Sequence, residues 1–236
     1  MYEGAVRVWQ TPGGHEATFH YRTNSSDWNT VQSVMEDEYN LPSGLTGWAM
    51  DLGAHIGPVT VALALDNPAL LILAVEPVPD NVRLLRANIE ANGIADRVIV
   101  VDGAIAAPGD ETVPVWYGYR GSVTLEHHAF IGNNGLAYDD GGVAEHEERL
   151  APAWSLSRLL DHAGTERVAW LKVDTEGGEW AFLTDPAIAR VDVLLGEWHN
   201  VRGHVQQDIV DLLGATHRVT FSGPVAGPGG FVAVRR

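Results

Sequence analysis

The order in which apolar segments and turn signals succeed one another constrains this chain most. Residues 48–52 have the pattern of a short buried strand, followed by a glycine-rich turn and an apolar helix over about 58–65. Residues 70–75 form an unbroken apolar run, the signature of a parallel strand covered on both faces. Pro79-Asp80 opens a helix to about Asn92, with Val82, Leu85 and Ile89 at helical spacing and Gly93 as its stop. Further strands are expected at 98–101, 168–173 and 191–195, then a helix near 208–213. Two last strands, 217–221 and 230–234, flank a Gly- and Pro-rich stretch and look like a hairpin. Strand alternating with helix implies a doubly wound α/β domain with a mostly parallel sheet and a C-terminal antiparallel hairpin.

Two regions fall outside this rhythm. Residues 1–47 hold strand-like pieces at 6–9 and 17–22 and a helical stretch around 30–39; they read as an N-terminal extension packing on or over the ligand site of a 48–236 domain. Residues 118–150 are rich in Gly, Asn, Asp, His and Glu with little periodicity, and a loop that long inside a compact domain is expected to be a lid or substrate-recognition insertion.

Composition excludes several classes of function. Asp and Glu number 31 against 15 Lys and Arg, a net charge of −16, which repels phosphate backbones and anionic membranes. The expected partner is a small neutral or cationic molecule, with neither nucleic acid nor membrane, and a homo-oligomer is compatible with the sequence. There is no cysteine, hence no disulfide or thiolate metal site. Residues 1–10 carry Glu3 and Arg7 without a long apolar stretch, so no signal peptide is expected. A cytoplasmic location fits these features.

The sharpest local signal is Asp51-Leu-Gly-Ala-His-Ile-Gly57 directly after the first strand of the rhythm. Gly53 and Gly57 permit a tight turn and close approach to a ligand at the carboxyl ends of the strands. The spacing is not the G-x-G-x-x-G of dinucleotide enzymes. An acid ahead of the first glycine suits a ligand with a cationic amino group, so Asp51 would face the methionine end of S-adenosylmethionine, partly through water. Glu76 ends the second strand, where a carboxylate can accept hydrogen bonds from two ribose hydroxyls, and Pro77 and Pro79 stiffen the turn after it. Asp102, Gly103 and Ala104 follow the third strand, where the adenine edge would lie.

These stretches, with Glu76-Pro-Val-Pro-Asp-Asn81, Leu85, Asn88-Ile89 and Leu171-Lys-Val-Asp-Thr-Glu-Gly-Gly-Glu179, resemble the FkbM family of S-adenosylmethionine-dependent methyltransferases. Weaker matches are Ser26-Asp27, Glu38-Tyr39, residues 156–160 and Glu197-Trp-His199. His55 stands where the family usually has Asn. The resemblance implies a Rossmann-like methyltransferase sheet that binds the cofactor through Asp51, Gly53, Ala54, His55, Gly57, Glu76, Pro77, Asp102, Gly103, Ala104 and Asp174. It also implies methyl transfer, commonly to a hydroxyl of a natural product, sugar or lipid-linked glycan, with S-adenosylhomocysteine as the product.

Methyl transfer to a hydroxyl needs alignment, exclusion of water and removal of a proton. The catalytic candidates are Asp174, His199, Lys172 and Glu197, all at the carboxyl ends of the last two parallel strands. Asp174 is the expected positioner of the acceptor. His199 is a candidate general base, because an unperturbed imidazole titrates near neutrality. Blander roles stand beside these: Lys172 as a structural partner of Asp174 or Glu176, Glu179 as an acid favoured by a helix dipole, and His199 as a satisfied loop residue. Mg²⁺ at Asp174 with Glu176 or Glu197 is conceivable but not favoured. His127, His128, Asp139, Asp140, Glu145 and His146 match no defined metal spacing. Trp116, Tyr117 and Tyr119 are candidate walls of an acceptor pocket. The competing functions are N-methylation of an amine, a nucleotide-binding oxidoreductase, and a binding protein without chemistry.

Overall fold

The computed structural model describes residues 4–23, 25–118, 130–131, 146–199, 203–222 and 229–236. The chain opens with a hairpin, β1 (Gly4–Gln10) and β2 (Glu16–Arg22), then α1 (Asp27–Met35). The expected rhythm follows as β3 (Gly47–Leu52), α2 (Pro58–Asp66), β4 (Leu70–Glu76), α3 (Pro79–Ala91) and β5 (Val98–Asp102). After it come β6 (Ala104–Ile105), β7 (Thr112–Gly118), β8 (Phe130–Ile131), β9 (His146–Trp154), α4 (Leu156–Ala163), β10 (Val168–Val173) and the short α5 (Glu179–Phe182). A 3₁₀ turn leads into β11 (Val191–Trp198), and α6 (Gln206–Leu213), β12 (His217–Ser222) and β13 (Gly229–Arg235) close the chain.

The main sheet has seven strands in the order β12-β13-β11-β10-β3-β4-β5. Five adjacent members, β11-β10-β3-β4-β5, run parallel, and β13 and β12 add antiparallel at the edge beyond β11. This is the doubly wound sheet with a C-terminal hairpin that the apolar pattern implied. Alternation along each strand divides the core. Met50, Leu52, Leu171 and Val173 face a layer built with Leu156, Leu160, Phe182, Ile209 and Leu213. Ala49, Ile72 and Trp170 face the other layer, with Phe19, Val31, Leu63, Leu85 and Ile89. α2 is buried on nearly every side, because β2 and α1 cover the flank that a doubly wound sheet would otherwise leave to solvent.

Three departures from expectation have local causes. α1 starts at Asp27 and ends at Met35, four residues short of the expected Tyr39. Asp37 and Asn40 adopt φ of 66° and 47°, a left-handed backbone that no α-helix continues through. Residues 156–163, given no helix from sequence, form α4, whose N-cap Ser155 accepts a hydrogen bond from the Arg158 amide. Strands that the sequence pattern did not suggest flank and enter the region expected as a loop over 118–150: β7, just before it, runs antiparallel to β9 from Thr112↔Pro152 to Gly118↔His146, and β8 joins β7. The rest of the 118–150 insertion lies outside the described residues, as do Tyr119, His127, His128, Asp139, Asp140 and Glu145 and the side chains of Trp116, Tyr117 and His146. Among the described residues, no helix is long and apolar enough to cross a membrane.

Candidate active site

A cavity of about 390 Å³ crosses the carboxyl ends of the parallel strands, from Gly103 and Ala104 after β5, past Glu76 and Gly53, to Asp174 and Glu197. That volume falls within the range of small-molecule sites, about 300–1,000 Å³. Of the residues expected from sequence, Gly53, Ala54, His55, Glu76, Pro77, Gly103, Ala104, Lys172, Asp174 and Glu197 line it.

Asp51, Gly57, Asp102 and His199 do not line it. Asp51 is fully buried; its Oδ2 accepts from the Thr60 hydroxyl at 2.7 Å, and its Oδ1 accepts no hydrogen bond among the described residues. Asp102 turns outward and pairs with Arg149 of β9 at 2.8 Å. Direct contact of these two carboxylates with a ligand in the cavity is therefore not what the geometry offers.

Packing alone already requires the glycines. Gly53 has φ of 79°, and a Cβ there would stand 1.9 Å from the Asp174 carbonyl oxygen. Gly57 has φ of 95°, and its Cβ would meet Leu85 Cδ1 at 2.5 Å. Both therefore serve close packing of the β3–α2 turn against the β10 turn and α3. His55, at φ of 53°, shares the left-handed region, which Asn and His enter more readily than most residues.

Glu76 is held from three sides: it accepts from the amides of His55 (2.8 Å) and Val78 (3.0 Å) and from Asn81 Nδ2 (3.2 Å). Burial raises its pKa above the usual carboxylate value, and those donors, with Lys172, oppose the rise. Asn81 also accepts from Arg22, whose guanidinium forks onto the fully buried Asp27 at 2.6 and 2.8 Å. Burial opposes the charge on Asp27, yet Arg22 and His55 hold its pKa below the usual value. This buried chain ties β2, α1 and α3 together, and through it Ser26, Asn29 and Thr30 reach the cavity wall.

At the other end, register sets the chemistry. Lys172 pairs with Asp51 across the parallel β10–β3 ladder, on the face shared with Trp170 and Asp174. Its Nζ donates to the Gly53 carbonyl at 2.9 Å and lies 3.6 Å from Asp51 and 3.8 Å from Asp174. Burial opposes its charge, but Asp174, Asp51, Glu76 and Glu197 outweigh that and keep it a firm cation. Tyr39 donates to Asp174 Oδ2 at 3.1 Å. Burial and the carboxylates of Asp174, Glu38 and Glu197 keep that phenol protonated. Glu197 loses hydration, and Asp174 and Glu176 repel its charge; despite His199 and Lys172, its pKa rises to about 7.

His199 stands behind this wall. Its Nδ1 lies 3.1 Å from Glu179, and its Nε2 faces Glu176 at 3.5 Å and Glu197 at 4.0 Å. Burial opposes the ring's charge, but Glu179, Glu176 and Asp174 prevail and push its pKa up to about 9. His199 is thus held as an imidazolium at neutral pH, where an imidazole of ordinary pKa was expected. Among the described residues, Asp174, Glu197 and His199 bring ligand atoms within 4.8 Å of one another, and a metal ion bound there would have to displace the ring proton of His199.

Ser26, Asn29, Thr30, Tyr39 and Asn81 also line the cavity, with no site role expected for them from the sequence. The stretches around Ser26, Glu38-Tyr39 and Asn81 carried family resemblance but no assigned role.

The pattern of the FkbM methyltransferase domain matches residues 51–221, well over half of the chain. The chain belongs to the FkbM methyltransferase family. Its place there makes it a methyltransferase, and the match begins at Asp51, so it includes every catalytic candidate. A search of curated proteins finds no match in sequence. Among solved structures, a Pyrococcus horikoshii protein described as a transferase superposes with a TM-score of 0.51 at 11% identity, over 97% of this chain and 70% of that one. M. jannaschii TYW2 in complex with AdoMet superposes with a TM-score of 0.50 at 13% identity, over 100% of this chain and 89% of that one. At these identities the likeness concerns the fold, and it agrees with the Rossmann-like sheet expected from sequence.

Proposed function

We propose that this FkbM methyltransferase moves the methyl group of S-adenosylmethionine to a hydroxyl of a small molecule, with Glu197 taking the hydroxyl proton. The observation that carries the reading is a single cavity with two chemically distinct ends. At one end Glu76 is a buried carboxylate braced by three donors, suited to a ribose diol. At the other, Asp174, just past the end of β10, and Glu197, near the end of the neighbouring β11, stand close together, one tied by Tyr39 and Lys172, the other titrating near neutrality.

The cofactor supplies a methyl group on a sulfonium, already activated for displacement. This chain supplies the rest. Gly53, Ala54 and His55 bring backbone close to the middle of the cavity, and Gly103 and Ala104 flank the end beyond Glu76. Asp51 acts from behind, by fixing Lys172. Asp174 orients the acceptor, and Glu197 removes its proton as the oxygen–carbon bond forms and the sulfur–carbon bond breaks. A base with pKa near the working pH is the efficient choice.

A second reading, N-methylation of an amine, is favoured by one observation. Glu38, Asp174, Glu176 and Glu197 all line the acceptor end, opposed there only by Lys172 among the lining residues.

Calorimetry with S-adenosylhomocysteine tests the cofactor end. Glu76→Gln should weaken binding by about 1–3 kcal/mol, the scale of a lost charge-assisted pair. Equal affinity in the folded variant would remove Glu76 from the ribose site. Transfer of labelled methyl to a panel of alcohols and amines separates the two acceptor readings, because only the alcohol reaction should depend on Glu197.

A further inference from the structure

Glu179 lies outside the cavity wall, is fully buried, and sits at the start of a helix only four residues long. A favourable helix dipole does not explain where its oxygens go. Oε2 accepts from the Gly177 amide at 2.9 Å and from the Thr175 hydroxyl at 3.4 Å. Oε1 accepts from the backbone amide of His199 at 2.7 Å and lies 3.1 Å from its ring Nδ1. The His199 carbonyl in turn accepts from Trp180 Nε1 at 2.8 Å. Two consecutive residues of α5 therefore hold His199 by its backbone and its ring, at the end of the strand that bears Glu197. With Nδ1–H committed to Glu179, the opposite nitrogen of the ring faces Glu176 and Glu197.

We propose that Glu179 is a positioning residue for proton transfer: it holds His199 as an imidazolium with Nε2–H aimed at the Glu176–Glu197 pair, which keeps Glu197 ionised and ready to accept a proton. The idea rests on the reading of Glu197 as the base. The acceptor proton moves to Glu197, while His199 keeps both ring protons throughout. A carboxylate on one ring nitrogen fixes which face the other presents, and a cation beside a crowded carboxylate lowers its proton affinity. Among the described residues, the charged groups facing the ring are Glu179 from α5, Glu176 from the turn after β10, Asp174 from the end of β10, and Glu197 from β11.

The test needs no acceptor. Proton titrations of the His199 ring and the Glu197 carboxyl are followed by NMR in the full-length protein, with His199→Gln and Glu197→Gln for assignment. In the wild type the His199 midpoint should lie well above neutrality. In Glu179→Gln it should fall by about one pH unit or more, while the Glu197 midpoint rises; Glu179→Asp should restore part of both shifts. A wild-type His199 midpoint at its ordinary value, or one unmoved in a folded Glu179→Gln protein, overturns the proposal. If Glu179→Gln does not fold, His199→Gln decides: an unchanged Glu197 midpoint means that no cation supports the base. Failure of the Glu197 reading itself looks different. The His199 shifts would persist, while alcohol methylation by Glu197→Gln would proceed at the wild-type rate.

Discussion

Lys172 illustrates how one side chain can hold two structures in place. It is almost wholly buried, it neutralises Asp51 through a neighbouring strand, and it donates to the carbonyl of the residue that begins the β3–α2 turn. Removing the ammonium would leave Asp51 buried with no cation, and breaking such a pair costs about 3–5 kcal/mol. Lys172→Met should therefore lower unfolding stability in urea by that amount, and Asp51→Asn in the same protein should recover part of it. A loss below about 1 kcal/mol, with no recovery in the double variant, would show that Asp51 is compensated in some other way. The sequence placed Lys172 and Asp174 on one face of one strand. It did not reveal that Lys172 also pairs with Asp51, because that neighbour depends on β10 lying beside β3, more than a hundred residues away in the chain.

Turns show the same division at the scale of elements. Gly53 and Gly93 both have positive φ, at 79° and 64°, but a Cβ at Gly53 would run into the Asp174 carbonyl whereas nothing lies within 4 Å at Gly93. Gly93→Ala should cost about 1–2 kcal/mol, the strain of a left-handed backbone alone. Gly53→Ala should cost clearly more and also weaken S-adenosylhomocysteine binding, because β10's turn must move away from β3's. Equal costs in thermal unfolding would mean that the two turns are not in contact. The five parallel strands were legible because strands covered on both faces must be apolar throughout, as residues 70–75 are. β9 was not: His146–Trp154 carries three charged residues and a proline, and its stability comes from pairing with β7 rather than from its own pattern. The cavity's glycine turn and Glu76 were likewise legible, since they follow strand ends directly. The contribution of α1 was hidden, because the buried Arg22–Asp27–Asn81 chain that brings it to the cavity joins residues up to 59 positions apart.

The whole molecule carries a net charge of −16, and its site concentrates that excess: Glu38, Glu76 and Glu197 all have pKa values raised chiefly by burial. A carboxylate whose folded pKa exceeds its unfolded one stabilises the fold below the unfolded pKa and loses that contribution as pH rises through the folded value. For Glu197 the loss runs from about 4.5 to about 7. His199 acts in a later window with the same sign. Its folded pKa of about 9 exceeds the ordinary 6.5, so its stabilisation is complete below pH 6.5 and disappears as pH rises through 9. Stability should thus decline in two stages between mildly acidic and alkaline pH, and moderate salt should soften the decline by screening the repulsion among carboxylates. His199→Gln isolates the second stage. It should be less stable than the wild type at pH 6, on the order of 1–3 kcal/mol, and the two proteins should converge by about pH 10. Chemical denaturation at several pH values checks this without substrate or cofactor. A constant difference across that range would mean that His199 contributes packing and hydrogen bonds but no charge.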